Sequence, residues 1–79
     1  MNMSKKQKYA ILVDFGTSFR FVTQILVGNS AEWNAGQQAL LFESKVRASD
    51  IATGLCWNGY PAMVVEVPAY MENVLLNKD

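Results

Sequence analysis

The hydrophobic positions of this chain change period partway along it. KYAILVDF, Lys8 to Phe15, alternates: Tyr9, Ile11, Val13 and Phe15 fall on one side of an extended chain, Ala10, Leu12 and Asp14 on the other. Its Ile, Leu, Val and aromatic content predicts a strand. Gly16-Thr17-Ser18 supplies a turn. FRFVTQILVG, Phe19 to Gly28, alternates again, with Phe19, Phe21, Thr23, Ile25 and Val27 on one face and Arg20, Val22, Gln24 and Leu26 on the other. GNSAEWNAG carries turn residues at both ends and leads to a third strand, QALLFE, Gln38 to Glu43.

Beyond Ser44 the period becomes helical. Ala48, Ile51, Ala52, Leu55 and Cys56 recur at three-and-four spacing, which predicts a helix over Lys45 to Trp57 with one apolar stripe. Ser44 is its N-cap. Asn58-Gly59 ends it, with Gly59 in the left-handed position and Tyr60 following as in a Schellman ending. AMVVEV, Ala62 to Val67, is a fourth strand stopped by Pro68, and AYMENVLL adds a helical turn or two. Gly54, inside the helix, suits close approach to the sheet or to a partner.

The predicted order is β-β-β-α-β with a short C-terminal helical turn. Short loops around the helix favour parallel third and fourth strands joined by a right-handed crossover. With a meander before them, the sheet order becomes 4-1-2-3. The fold class is α+β: a two-layer sandwich of a four-stranded mixed sheet with one main helix on one face. Residues 1–7 form a flexible tail, and residues 8–79 a single small domain.

That arrangement leaves one sheet face open. Leu12 stands against Ile11, Leu40 against Leu41 and Val64 against Val65, so both faces are apolar. The expected cover is a second copy of the chain or a different protein, with a homodimer through the uncovered face favoured. The alternative is that the loop holding Trp33 closes it.

Composition narrows the chemistry. The chain has 79 residues, 51% of them hydrophobic, which is too apolar for disorder. Lys+Arg and Asp+Glu both number 7, so the balance does not favour general nucleic-acid binding. No histidine is present, and Cys56 is the one cysteine, so no internal disulfide forms and a reducing compartment fits. The N-terminal sequence has no run apolar enough for a signal peptide or a membrane span, and a cytoplasmic protein is expected. No metal-ligand spacing and no cofactor motif appears.

ILVDFGTSFRFVT, Ile11 to Thr23, resembles the first phosphate-binding hairpin of the actin, Hsp70 and sugar-kinase ATPases. The resemblance covers about a dozen residues. In that superfamily the hairpin acts with a second phosphate loop and an adenosine motif, for which this chain has no room. The expectation is a hairpin without catalysis, in which Asp14 bonds the turn amides and Gly16 permits the bend. Glu43 and Glu66 fall at the ends of strands expected to be neighbours, and solvated strand-end charges describe them. Phe19 and Phe21 are expected in the core, and Cys56 is expected as a buried, inert thiol.

Contact groups remain. Trp57 continues the helix line Val46, Asp50, Thr53, away from the apolar stripe, and Trp33 sits in a polar loop. Trp57, Trp33, Asp50 and Val46 are therefore the candidate protein-contact residues. The expected function is a small, non-enzymatic interaction module that binds a larger protein partner. In compactness and lack of catalytic groups it is similar in style to the accessory proteins of phages and mobile elements, anti-CRISPR and other host-defence inhibitors among them. The alternative is a nucleic-acid-binding accessory protein using Lys5, Lys6, Lys8, Arg20, Lys45 and Arg47, which requires those charges to share a face.

Overall fold

The computed structural model describes residues 7–78, the side chain of Asn29 excepted. Of the expected loose tail over residues 1–7, residues 1–6, with Lys5 and Lys6, lie outside the described residues, and Gln7 is exposed. The alternating KYAILVD builds the central strand β1 (Lys8–Asp14). The turn after it is an Asx turn: the Gly16 N–H donates to Asp14 Oδ1 at 2.7 Å, Phe15 N–H donates to the Ser18 carbonyl at 2.9 Å, and Gly16 has φ 88°. The chain returns as β2 (Phe19–Phe21), in register Leu12 with Phe21 and Asp14 with Phe19. Next come β3 (Gln24–Ile25), β4 (Ala31–Glu32), helix α1 (Lys45–Trp57) and β5 (Ala62–Val67). A 3₁₀ turn over Ala69–Met71 follows β5.

The architecture is α+β with one main helix and antiparallel sheets, but the expected single four-stranded mixed sheet does not form. One sheet has the order β2-β1-β5 and the other pairs β3 with β4. The physical reason lies in GNSAEWNAG. The expectation allowed it one reversal, and it makes two. Gly28 (φ 78°) turns β3 into β4, and the Ala35-Gly36 turn (Gly36 φ 73°) reverses the chain again. After two reversals QALLFE runs in the direction of β2 rather than against it. It reaches β1 through a single antiparallel bridge, Tyr9 with Phe42, with N···O distances of 2.8 and 2.7 Å. The Phe42 segment and β5 both run antiparallel to β1, on its two sides. They therefore run the same way, with α1 crossing between them.

Helix α1 has the expected bounds and both expected ends. Ser44 Oγ accepts from the Arg47 N–H at 3.1 Å. At the other end Tyr60 N–H donates to the Leu55 carbonyl (2.9 Å) and Gly59 N–H to the Cys56 carbonyl (3.1 Å), with Gly59 at φ 89°. The stripe Ala48, Ile51, Ala52 and Leu55 is buried against Ile11, Val13, Val22 and Phe42. Burial of each large apolar side chain in this layer is worth about 1.5–3 kcal/mol. Cys56 departs from the expectation. It lies on the flank of the stripe and is exposed, over the start of β5, where its thiol meets the Ala62 backbone. Gly54 does not mark a close approach within the chain: a Cβ there would meet nothing within 4 Å.

The sheet face away from the helix carries Ala10, Leu12, Phe19, Phe21, Met63, Val65 and Val67, by the registers of β1 with β2 and β5. Phe19 and Phe21 therefore lie outside the helix-covered core, and Phe19 is 62% exposed. The expectation failed because the alternation breaks after Val22: Arg20 and Val22 take the helix side, and Ile25, three positions further, packs there as well instead of siding with Phe19 and Phe21. Ala10 and Val67 are nonetheless buried. The cover comes from the chain itself. Residues after Pro68 fold back, with Asn77 N–H donating to the Gln37 carbonyl, Gly36 N–H to the Asn77 carbonyl and Ala39 N–H to the Leu75 carbonyl at 2.8–3.0 Å. The Asn77 side chain, 4% exposed, accepts from Phe21 N–H (2.8 Å) and donates to the carbonyls of Phe21 (2.9 Å) and Asn34 (3.0 Å).

Candidate protein-contact surface

The outer face of α1 is built by helical spacing alone. Val46, Asp50, Thr53 and Trp57 lie opposite the buried stripe, and all are exposed. Trp57 is 85% exposed and Val46 71%. Lys45, Val46, Ser49 and Asp50 line a shallow concavity at the N-terminal end of this face. The face thus offers an apolar Val, a carboxylate and a free indole along one side of a rigid helix. The structure brings three of the four candidate contact residues together here.

Trp33, the fourth, is elsewhere. It is half-buried and packs on the core in a trio with Phe15 and Tyr60, at ring-centroid distances of 5.5 Å (Phe15–Trp33), 5.0 Å (Trp33–Tyr60) and 6.5 Å (Phe15–Tyr60). Tilted rings this close fill the space between them, which makes the trio a plug over one end of the layer. Trp33 comes from the loop after β4, Phe15 from the Asx turn and Tyr60 from the helix cap. Separations of this kind leave no linear signal.

The basic candidates are not assembled. Lys8 Nζ lies 4.0 Å from a Glu43 carboxylate oxygen. Arg20, paired with Val13 and so on the helix side of the sheet, donates from Nη1 to the Trp33 carbonyl at 3.1 Å. Lys8 points to the opposite side, by the alternation of β1. Lys45 and Arg47 stand in the first turn of α1. Among the described residues these charges do not share one face. Glu43 and Glu66 do not pair either: β1 runs between them, with Tyr9 bridged to Phe42 on one side and opposite Glu66 on the other. Among the described residues no group of three or more His, Cys, Asp or Glu is placed to hold a metal ion, and no helix is long and apolar enough to cross a membrane.

An uncovered apolar sheet face was expected from the sequence, but not with Phe19 on it. Phe19 (62% exposed), Leu76 (56%) and Met63 (54%) remain uncovered on the outer sheet face. Leu12, Phe19, Phe21, Leu76 and Asn77 line one concavity there. The signal for it was the apolar character of both strand faces, and the C-terminal segment, with Leu76 and Asn77, forms one wall of it. No family model matches the chain, and no curated protein or solved structure matches it.

Proposed function

We propose that this chain is a small, non-enzymatic protein-interaction module that engages a larger protein through the outer face of α1. The observation that carries this reading is Trp57, 85% exposed at the end of a helix face that also shows Val46 at 71%. A Trp left in water by its own fold is a large apolar surface without a structural task, and such residues anchor interfaces. The helix is capped at both ends, so the face is presented rigidly and loses little entropy on binding. Asp50 between the two apolar residues would set orientation and charge preference. An inhibitor of the kind phages and mobile elements carry would act in this way, by occupying a surface.

The test compares the wild-type chain with Trp57→Ala as tagged bait in nuclease-treated lysate of the source cell. The expected result is one stoichiometric protein held by the wild type, and its affinity weakened by about 2 kcal/mol or more in the variant. Circular dichroism of Trp57→Ala should match the wild type, because the indole supports nothing in the fold. Equal recovery by both baits would move the contact off this face. Recovery of nucleic acid alone, falling steeply with salt, would replace the reading with nucleic-acid binding.

A further inference from the structure

Strand β5 is an edge of the β2-β1-β5 sheet, and among the described residues no strand pairs with its outer side. An antiparallel partner takes the N–H and C=O of alternate residues and leaves those of the residues between pointing away. Asp14 N–H donates to the Pro61 carbonyl at 2.8 Å, which fixes the phase. Met63, Val65 and Val67 therefore bond to β1, while Ala62, Val64, Glu66 and Pro68 turn their backbone groups to the open edge. The ends of that edge are closed. Cys56 Sγ lies 3.4 Å from the Ala62 nitrogen and 3.5 Å from its carbonyl oxygen. Pro68 has no N–H, and its carbonyl accepts from Met71 N–H at 2.9 Å. What remains open is the N–H and C=O of Val64 and of Glu66, placed symmetrically about Val65.

We propose that this edge pairs with β5 of a second copy of the chain, antiparallel, about a two-fold axis at Val65. In that register Val64 faces Glu66 of the other copy, and every open donor meets an open acceptor. Ala62 falls opposite Pro68, both with their edge groups already used, so the two strands diverge there to leave room for Cys56 Sγ and the ladder is confined to Val64–Glu66. The neighbouring registers are worse. An axis at Val64 sets Glu66 against the occupied Ala62, and an axis at Glu66 sets like charges directly opposite. On the outer face, Val65 meets Val65 and the exposed Met63 meets Val67, all apolar. The formal charge of zero puts no net repulsion between copies. The product is one continuous sheet, β2-β1-β5-β5-β1-β2, with both helices on the same side. This inference is independent of the helix-face reading, since Trp57 lies on the far side of α1 from the sheet.

The experiment is sedimentation equilibrium over a concentration series, with amide hydrogen exchange followed by NMR at the same concentrations. The expected result is a monomer–dimer equilibrium in which the Val64 and Glu66 amides gain protection as dimer fills and lose it on dilution. Glu66→Pro deletes an edge N–H that β1 does not use, so it should fold and remain monomeric, while Glu66→Gln and Trp57→Ala should dimerise like the wild type. If Glu66→Pro fails to fold, the exchange of Val64 and Glu66 in the wild type decides alone. A chain that stays monomeric up to high micromolar concentration, with both amides exchanging freely, overturns the proposal. So does a dimer that persists in Glu66→Pro and is broken by Phe19→Asp, which would place the interface on the outer sheet face.

Discussion

Asn77 holds the C-terminal segment by closing a hydrogen-bond ring on Phe21, one bond to its N–H and one to its C=O, and by adding a bond to Asn34. Asn77→Leu keeps the volume and removes every one of these partners. It should cost about 1–3 kcal/mol, the penalty for buried polar groups left unpaired, read from urea unfolding. The Phe21 amide should then exchange faster than in the wild type, and an unchanged midpoint would show that water replaces the amide without loss. Gly59 offers a cleaner comparison. No atom lies within 4 Å of where a Cβ would stand, so Gly59→Ala carries the backbone cost of φ 89° and no clash. A loss of about 1 kcal/mol in the same assay is expected. These two residues also mark what a sequence shows and hides. Gly59 follows an apolar stripe at the spacing a helix ending requires, and its role is readable in the linear pattern. Asn77 is one of three consecutive polar residues, its side-chain partners lie 56 and 43 positions away, and no local rule points to it.

At the scale of the element, α1 was legible in full, because cap, stripe and ending are all local signals. Gly54 was read as a site of close approach, yet its missing Cβ faces open space. It is then simply a flexible residue in a helix. Gly54→Ala should stabilise the protein by about 0.5–1 kcal/mol, seen as a higher melting temperature. A destabilised variant would show that something outside the chain's own fold needs that gap. The third strand was not legible. QALLFE has strand composition, but whether it becomes a strand depends on the direction in which it arrives, and direction depends on counting reversals. The turn residues at both ends of GNSAEWNAG were visible. That each end makes its own turn, with Ala31–Glu32 pairing back on Gln24–Ile25 between them, is a tertiary outcome. The helix-side core followed from the alternation of β1, whereas Phe19 and Phe21 were misplaced because the alternation does not run through to Ile25: it breaks between Val22 and Ile25, which both face the core. Of the candidate contact residues, Val46, Asp50 and Trp57 were placed on one face by helical spacing. Trp33 belonged to a loop, where spacing says nothing about neighbours.

At the scale of the whole molecule, the question raised by the sequence was what covers the second face of the sheet. The chain answers it in part, since Ala10 and Val67 on that face are buried, and leaves Phe19, Met63 and Leu76 in water. Ending the chain at Val67 tests that division. The shortened chain keeps every strand and the helix but loses Asn77 and the bonds to residues 36–39. The Phe21 N–H, Phe21 C=O and Asn34 C=O left unpaired cost about 1–3 kcal/mol each where they stay buried. A loss on the order of 3 kcal/mol or more is a large fraction of what holds a domain this small together, and partial unfolding at ambient temperature is expected. Binding of a dye specific for apolar surface should rise with it. If the shortened chain instead unfolds at the same urea concentration as the whole one, residues 68–79 contribute nothing to stability.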